Sequence, residues 1–168
     1  MDLYKTGILT LSCLLMMCSL NAQKTVKVKV ENDITLNADL DEVWTAISNL
    51  ENLDKLVPEI IGETEGIGNG KGAIVTLTLK GNGARVVEEI TKLDNKKRVI
   101  SYEILETPMP LSYYKATISI TQTDSPEFVI RFKTVLKTDK TNEEKMQTTI
   151  DNFQRTLLSN VKNKYYEK

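Results

Sequence analysis

The 168-residue chain contains no histidine. The commonest general base and the commonest metal ligand are therefore both missing. Its two cysteines, Cys13 and Cys18, both fall within the first 22 residues. Beyond that segment there is no thiol, so neither a disulfide framework nor a cysteine nucleophile is available. Clustered positive charge is absent too. The net charge is −1, whereas a nucleic-acid surface demands a concentrated basic face. Lys24, Lys27 and Lys29 lie beside alternating valines, as on the solvent side of a strand. Nucleic acid is not an expected partner. Long apolar runs are missing as well: the stretch from Ile8 to Met17 is too short to cross about 30 Å of hydrocarbon.

That short apolar run has another use. Residues 1–22 read as a secretory signal peptide, with Lys5 as the positive start, Ile8 to Met17 as the apolar middle, and Ala22 before Gln23. Leu20 at the −3 position fits poorly. A lipoprotein alternative would attach lipid to Cys18 through Leu15-Met16-Met17-Cys18, but a small residue is wanted where Met17 stands. The expectation is export, to a periplasm or the outside, with residues 23–168 as one domain of sizeable core. A monomer or weak dimer is expected.

What is present is organised around the stretch from Thr141 to Lys168. Met146, Ile150, Phe153, Leu157 and Val161 recur at spacings of four, three, four and four, one stripe of an α-helix. Leu158 and Tyr165 widen it, and Asp151, Gln154, Arg155, Ser159 and Lys162 are assigned to the polar side. Thr141-Asn142-Glu143-Glu144 has the form of a capping box. Upstream, Val26, Val28 and Val30 alternate with lysines as a strand, which Ile34 and Leu36 continue past an expected kink at Asn32-Asp33. Asp39 and Glu42 mark a helix start, with Val43, Trp44, Ile47 and Leu50 at helical spacing and Trp44 as a core plug. A short turn with Leu53 and Leu56 ends at Pro58.

From Glu59 the pattern becomes strands and tight turns. Gly66-Ile67-Gly68-Asn69-Gly70 is not a phosphate loop, because Ala73 to Lys80 alternates as a strand where such a loop needs a helix. A flexible hairpin beside a cavity mouth is expected instead. Strands follow over 85–93, 98–106, 111–122 and 128–138. The fold class is therefore α+β: a six- to seven-stranded curved antiparallel sheet around a long C-terminal helix, with two short helices after the first strand.

In this order and spacing the chain resembles the START-like (SRPBCC) superfamily. That helix-grip fold is shared with birch-pollen-allergen-like and polyketide cyclase/dehydrase-like proteins. The likeness is carried by Ala38-Asp39-Leu40-Asp41-Glu42-Val43-Trp44, by Asn52 to Ile60, and by the glycines at 68, 70 and 72. Val87 to Ile90 with Asp94, Arg98 to Tyr102, and Pro110 with Tyr113-Tyr114 add to it. The resemblance implies a cavity between the long helix and the concave sheet for an apolar or amphipathic small molecule. It fixes no reaction, because this fold hosts carriers, receptors, cyclases and oxygenase components. The iron-binding branch uses histidine pairs and is excluded here.

Strand periodicity selects the side chains facing the helix. These are Val86, Glu88 and Ile90; Ile100, Tyr102 and Ile104; Tyr114, Ala116, Ile118 and Ile120; and Phe128, Ile130, Phe132, Thr134 and Leu136. Candidate ligand-binding residues are Glu88, Tyr102, Met109, Tyr114, Ile118, Phe132, Phe153 and Leu157. Two readings of Glu88 stay open: a polar hook or general acid in a pocket, or a carboxylate facing water or bonding Tyr102. The expected function is a secreted or periplasmic carrier holding a small hydrophobic or amphipathic ligand, without metal or cofactor. The alternative is a cyclase-, dehydratase- or hydrolase-like enzyme using Glu88 with Tyr102 or Tyr114.

Overall fold

Alternation builds most of this molecule. The computed structural model describes residues 24–123 and 126–166; the expected signal peptide, with Cys13 and Cys18, lies outside them. The Val-Lys repeat forms β1, Thr25–Leu36, which pairs antiparallel with β7, Phe128–Asp139, in an unbroken register. The expected kink at Asn32-Asp33 is therefore absent. Asn32 takes the next inward position after Val28 and Val30, because side chains two apart share a face.

The chain then leaves the sheet through α1, Leu40–Ile47, and α2, Leu53–Leu56, separated by one 3₁₀ turn. Asp39 caps α1 as expected: its carboxylate accepts a 2.8 Å hydrogen bond from the Glu42 amide. Val43, Trp44 and Ile47 turn into the core, and the Trp44 indole N–H donates to Asn95 at 3.1 Å. Asp39→Ala should lower stability by ~1 kcal/mol, the usual worth of an N-cap, read as a lower urea midpoint.

The remaining strands form a meander: β2 Ile61–Ile67, β3 Ile74–Leu79, β4 Arg85–Asp94, β5 Val99–Glu106 and β6 Leu111–Gln122. The sheet order is β1-β7-β6-β5-β4-β3-β2, so the first strand closes on the last. Between β2 and β3, Gly68 and Gly72 hold φ of 86° and 87°, a backbone region that glycine enters without a Cβ penalty. A strand follows them, as required by the rejection of a phosphate loop.

α3, Glu143–Tyr165, runs 23 residues. Its N-terminus differs from the capping box. Residues Lys140–Asn142 form a 3₁₀ turn, and Asn142 occupies the cap position without a side-chain bond to the backbone. Thr141 sits inside that turn, one residue too early to cap. Glu143 and Glu144 supply the negative charge that favours a helix start, and Lys140 pairs with Glu143.

The apolar stripe of α3 packs as read, with Met146, Ile150, Leu157, Leu158 and Val161 buried. Gln154 does not belong to the polar side. It is fully buried, because position 154 falls four residues after Ile150 and three and four before Leu157 and Leu158, in the middle of the stripe. Its amide donates to the Thr134 hydroxyl at 2.8 Å, and its carbonyl accepts from Asn32 at 2.9 Å. α3 is thereby tied to β1 and β7, the strands it rests on. The faces of β3, β4 and β5 stay clear of its backbone.

Candidate functional site

Where helix and sheet part, a cavity of about 320 Å³ opens. Its walls come from seven parts of the chain. Leu77 and Leu79 rise from β3, Val86 and Glu88 from β4, Ile104 from β5, and Tyr114 from β6. Met109 leans in from the β5–β6 loop, and Ile60 and Ile61 close the side where β2 begins. Ile150 and Phe153 of α3 form the roof, with exposed Thr149 and Asn152 at its rim. The size lies near the low end of the roughly 300–1,000 Å³ common for ligand pockets.

Four sequence candidates, Glu88, Met109, Tyr114 and Phe153, are brought together around this space. The other four are not on its walls. Tyr102 stands behind them, 1 % exposed, with its ring 6.4 Å from that of Tyr114. Ile118, Phe132 and Leu157 belong to the filled core, where Phe132 meets Phe153 edge-on at 6.2 Å. Periodicity puts Glu88, Tyr102, Tyr114, Ile118 and Phe132 on one side of the sheet and Phe153 and Leu157 on one stripe of α3, but a face says nothing about where along it the helix lifts away. The glycine hairpin is not among the cavity walls either; its Asn69 borders an open polar groove beside Trp44 and Asn95.

Glu88 is the one charged-type residue in the walls. Its neighbours across the strands are Val75 on β3 and Ile104 on β5, both apolar. The side chain is 4 % exposed and its Oε2 has no hydrogen-bond partner. The Tyr102 hydroxyl is unpartnered too, so neither the water-facing nor the Tyr102-bonded arrangement is present. Burial without compensation disfavours the charged form. It pushes the Glu88 carboxyl from 4.5 up to about 8. At neutral pH the group is therefore mostly the acid, a hydrogen-bond donor rather than a charge. Burial, together with nearby Tyr114 and Glu88, holds the Tyr102 phenol well above its usual range. Burial and Glu88 do the same to Tyr114.

Sequence reasoning did not assign Leu77, Leu79, Thr149 or Asn152 to the site. The β3 alternation carried a signal for the two leucines, since Val75, Leu77 and Leu79 share one face. Thr149 and Asn152 carried none; only the placement of α3 brings them to the rim. Among the described residues no group of three or more acidic, Cys or His side chains is arranged to hold a metal ion. No helix among them is long and apolar enough to cross a membrane.

A family model described as polyketide cyclase/dehydrase and lipid transport matches residues 27–165. No curated protein sequence matches the chain significantly. Solved structures do. The Zhui aromatase/cyclase of Streptomyces sp. R1128 is similar with a TM-score of 0.73 at 18% identity, over 83% of this chain and 93% of that one. The protein XoxI of Bacillus cereus gives 0.73 at 15% identity, over 82% and 95%. Norcoclaurine synthase of Thalictrum flavum, in complex with dopamine and hydroxybenzaldehyde, gives 0.70 at 20%, over 97% and 95%. At these identities the likeness carries the fold alone, and any ligand must be argued from the site.

Proposed function

Since this chain belongs to the polyketide cyclase/dehydrase and lipid transport family, we propose that it is a carrier for a small hydrophobic or amphipathic molecule held between α3 and the sheet. One observation carries this reading: a void of about 320 Å³ with almost wholly aliphatic and aromatic walls and one inward acid. A chain that needed only stability would fill such a space, because an unfilled apolar cavity forfeits dispersion contacts on every wall. The polar rim at Thr149 and Asn152 suits the polar end of an amphipathic guest. Export is part of the proposal and rests on residues 1–22; the N-terminal sequence of the mature protein recovered from its cells tests it.

The carrier reading has a direct test. Solvent extraction of the purified protein, followed by mass spectrometry, should yield a bound small molecule, or the emptied protein should bind ethylbenzene in a calorimetric titration. Leu77→Trp, which pushes a larger ring into the space, should weaken that probe about tenfold, ~1.4 kcal/mol, with the circular dichroism unchanged. A protein that carries nothing and binds no apolar probe would end the proposal.

A second reading is a cyclase- or dehydratase-like enzyme in which Glu88 gives its proton to the substrate. It is supported by the acid form of Glu88 in a largely apolar site beside two tyrosines. Glu88→Gln distinguishes the two, since it would abolish turnover while leaving binding in place.

A further inference from the structure

Glu88 lines the cavity, and its buried Oε2 has no hydrogen-bond partner in the protein. Buried polar atoms are nearly always paired, and one left over inside a pocket calls for an explanation outside the folded chain. Three features of the walls limit what that partner is. No lysine or arginine lines the space, so an anionic guest would be buried without a counter-charge. The volume of about 320 Å³ is near the low end for ligand pockets, which suits one ring with a short substituent better than a two-chain lipid. The remaining walls are apolar except for Tyr114, Thr149 and Asn152, so specificity in the interior falls to Glu88 and Tyr114.

Building on the carrier reading, we infer that the cavity selects an uncharged, ring-sized molecule whose carbonyl-type oxygen accepts a hydrogen bond from the Glu88 carboxyl. Carboxylates are rejected. The titratable groups facing Glu88 are Tyr102 on β5 and Tyr114 on β6. The wall residues from β2, β3 and α3 are not ionisable. No positive group opposes the acid form, and burial keeps the proton in place up to about pH 8. An ammonium guest would instead require both partners to lose their hydration as a buried ion pair, which is seldom a net gain.

Four single-ring probes separate the possibilities: acetophenone, ethylbenzene, phenylacetate and phenethylamine, titrated calorimetrically into the full protein at pH 6.5 and 9.5. At pH 6.5 acetophenone should bind about tenfold tighter than ethylbenzene, the scale of one hydrogen bond that satisfies a buried group. Phenylacetate should bind weakest. The ketone's advantage should vanish at pH 9.5, where Glu88 has lost its proton. Glu88→Gln keeps an N–H donor, so it should retain the preference and make it independent of pH; Glu88→Leu should abolish it. Equal binding of acetophenone and ethylbenzene to the parent protein at pH 6.5 overturns this inference while leaving the carrier reading intact. Tightest binding by phenethylamine, growing as pH rises through 8, overturns it in favour of a cationic guest. If none of the four binds, this inference falls; if solvent extraction also yields no bound molecule, the carrier reading falls with it.

Discussion

Glu88→Gln should make the protein more stable at pH 8.5, by about 4–5 kcal/mol, and change little at pH 4. The reason is linkage. Folding raises the Glu88 carboxyl from 4.5 to about 8, so between those values the folded chain holds a proton that the unfolded chain has released. Stability then falls with rising pH, because the native state binds more protons than the unfolded one. Glu88 does no harm below its unfolded pKa. Its cost grows through the interval and levels off above about 8, at ~1.36 kcal/mol for each pH unit crossed. Glutamine has nearly the same shape and polarity as the acid form but cannot ionise, so it escapes that slope. Urea melts of both proteins from pH 4 to 9 provide the measurement. Parallel stability curves would mean that Glu88 reaches water in solution and that burial does not raise its pKa. An acid tolerated at this expense points to use: a residue that destabilises the folded chain at neutral pH and above is kept for something other than the fold.

Gln154→Ala should have an effect of similar size and opposite direction, a loss of about 3–4 kcal/mol. Gln154 is fully buried and joins two strands to the helix, accepting from Asn32 at 2.9 Å and donating to Thr134 at 2.8 Å. Its removal leaves the Thr134 hydroxyl without that donor in a position 1 % exposed. Leaving a buried partner unsatisfied costs about 1–3 kcal/mol, and the vacated volume adds a cavity term. Asn32 is partly spared, since its amide also donates to Asp151 at 2.9 Å. Gln154→Leu with Thr134→Val should recover much of the loss, because replacing both partners by apolar groups of similar shape is nearly neutral. A double-mutant cycle on the urea midpoint measures this coupling. Arg155→Ala, one residue away, should leave the urea midpoint nearly unchanged, as its pair with Asp151 lies largely in solvent. If Gln154→Ala behaved like Arg155→Ala, the buried bridge would not exist.

These two residues mark how far the sequence could be read. Glu88 was legible because β4 alternates and Val86 and Ile90 on either side are apolar; its inward direction follows from the pleat alone. Gln154 was misassigned because its polarity was taken as evidence of exposure. Its position relative to Ile150, Leu157 and Leu158 placed it in the stripe, and its partners, Asn32 and Thr134, lie 122 and 20 positions before it in the chain. Asn32 misled for the same reason, as a polar residue that looked like a break in a strand. Thr141 shows a smaller version of the limit. The capping pattern was present, yet one 3₁₀ turn shifted the helix start beyond it.

Local chemistry by itself determined the α+β class, the strand faces, the capped first helix and the long apolar stripe near the C-terminus. Each of these depends on a period of 2 or 3.6 that neighbouring residues carry. Only the tertiary structure decided that α3 rests on β1 and β7 and stands off from β3, β4 and β5. That single placement separates the pocket residues Glu88, Met109, Tyr114 and Phe153 from Ile118, Phe132 and Leu157, which look the same in sequence but pack into solid core. A void is a relation among elements distant along the chain, and no local period encodes it.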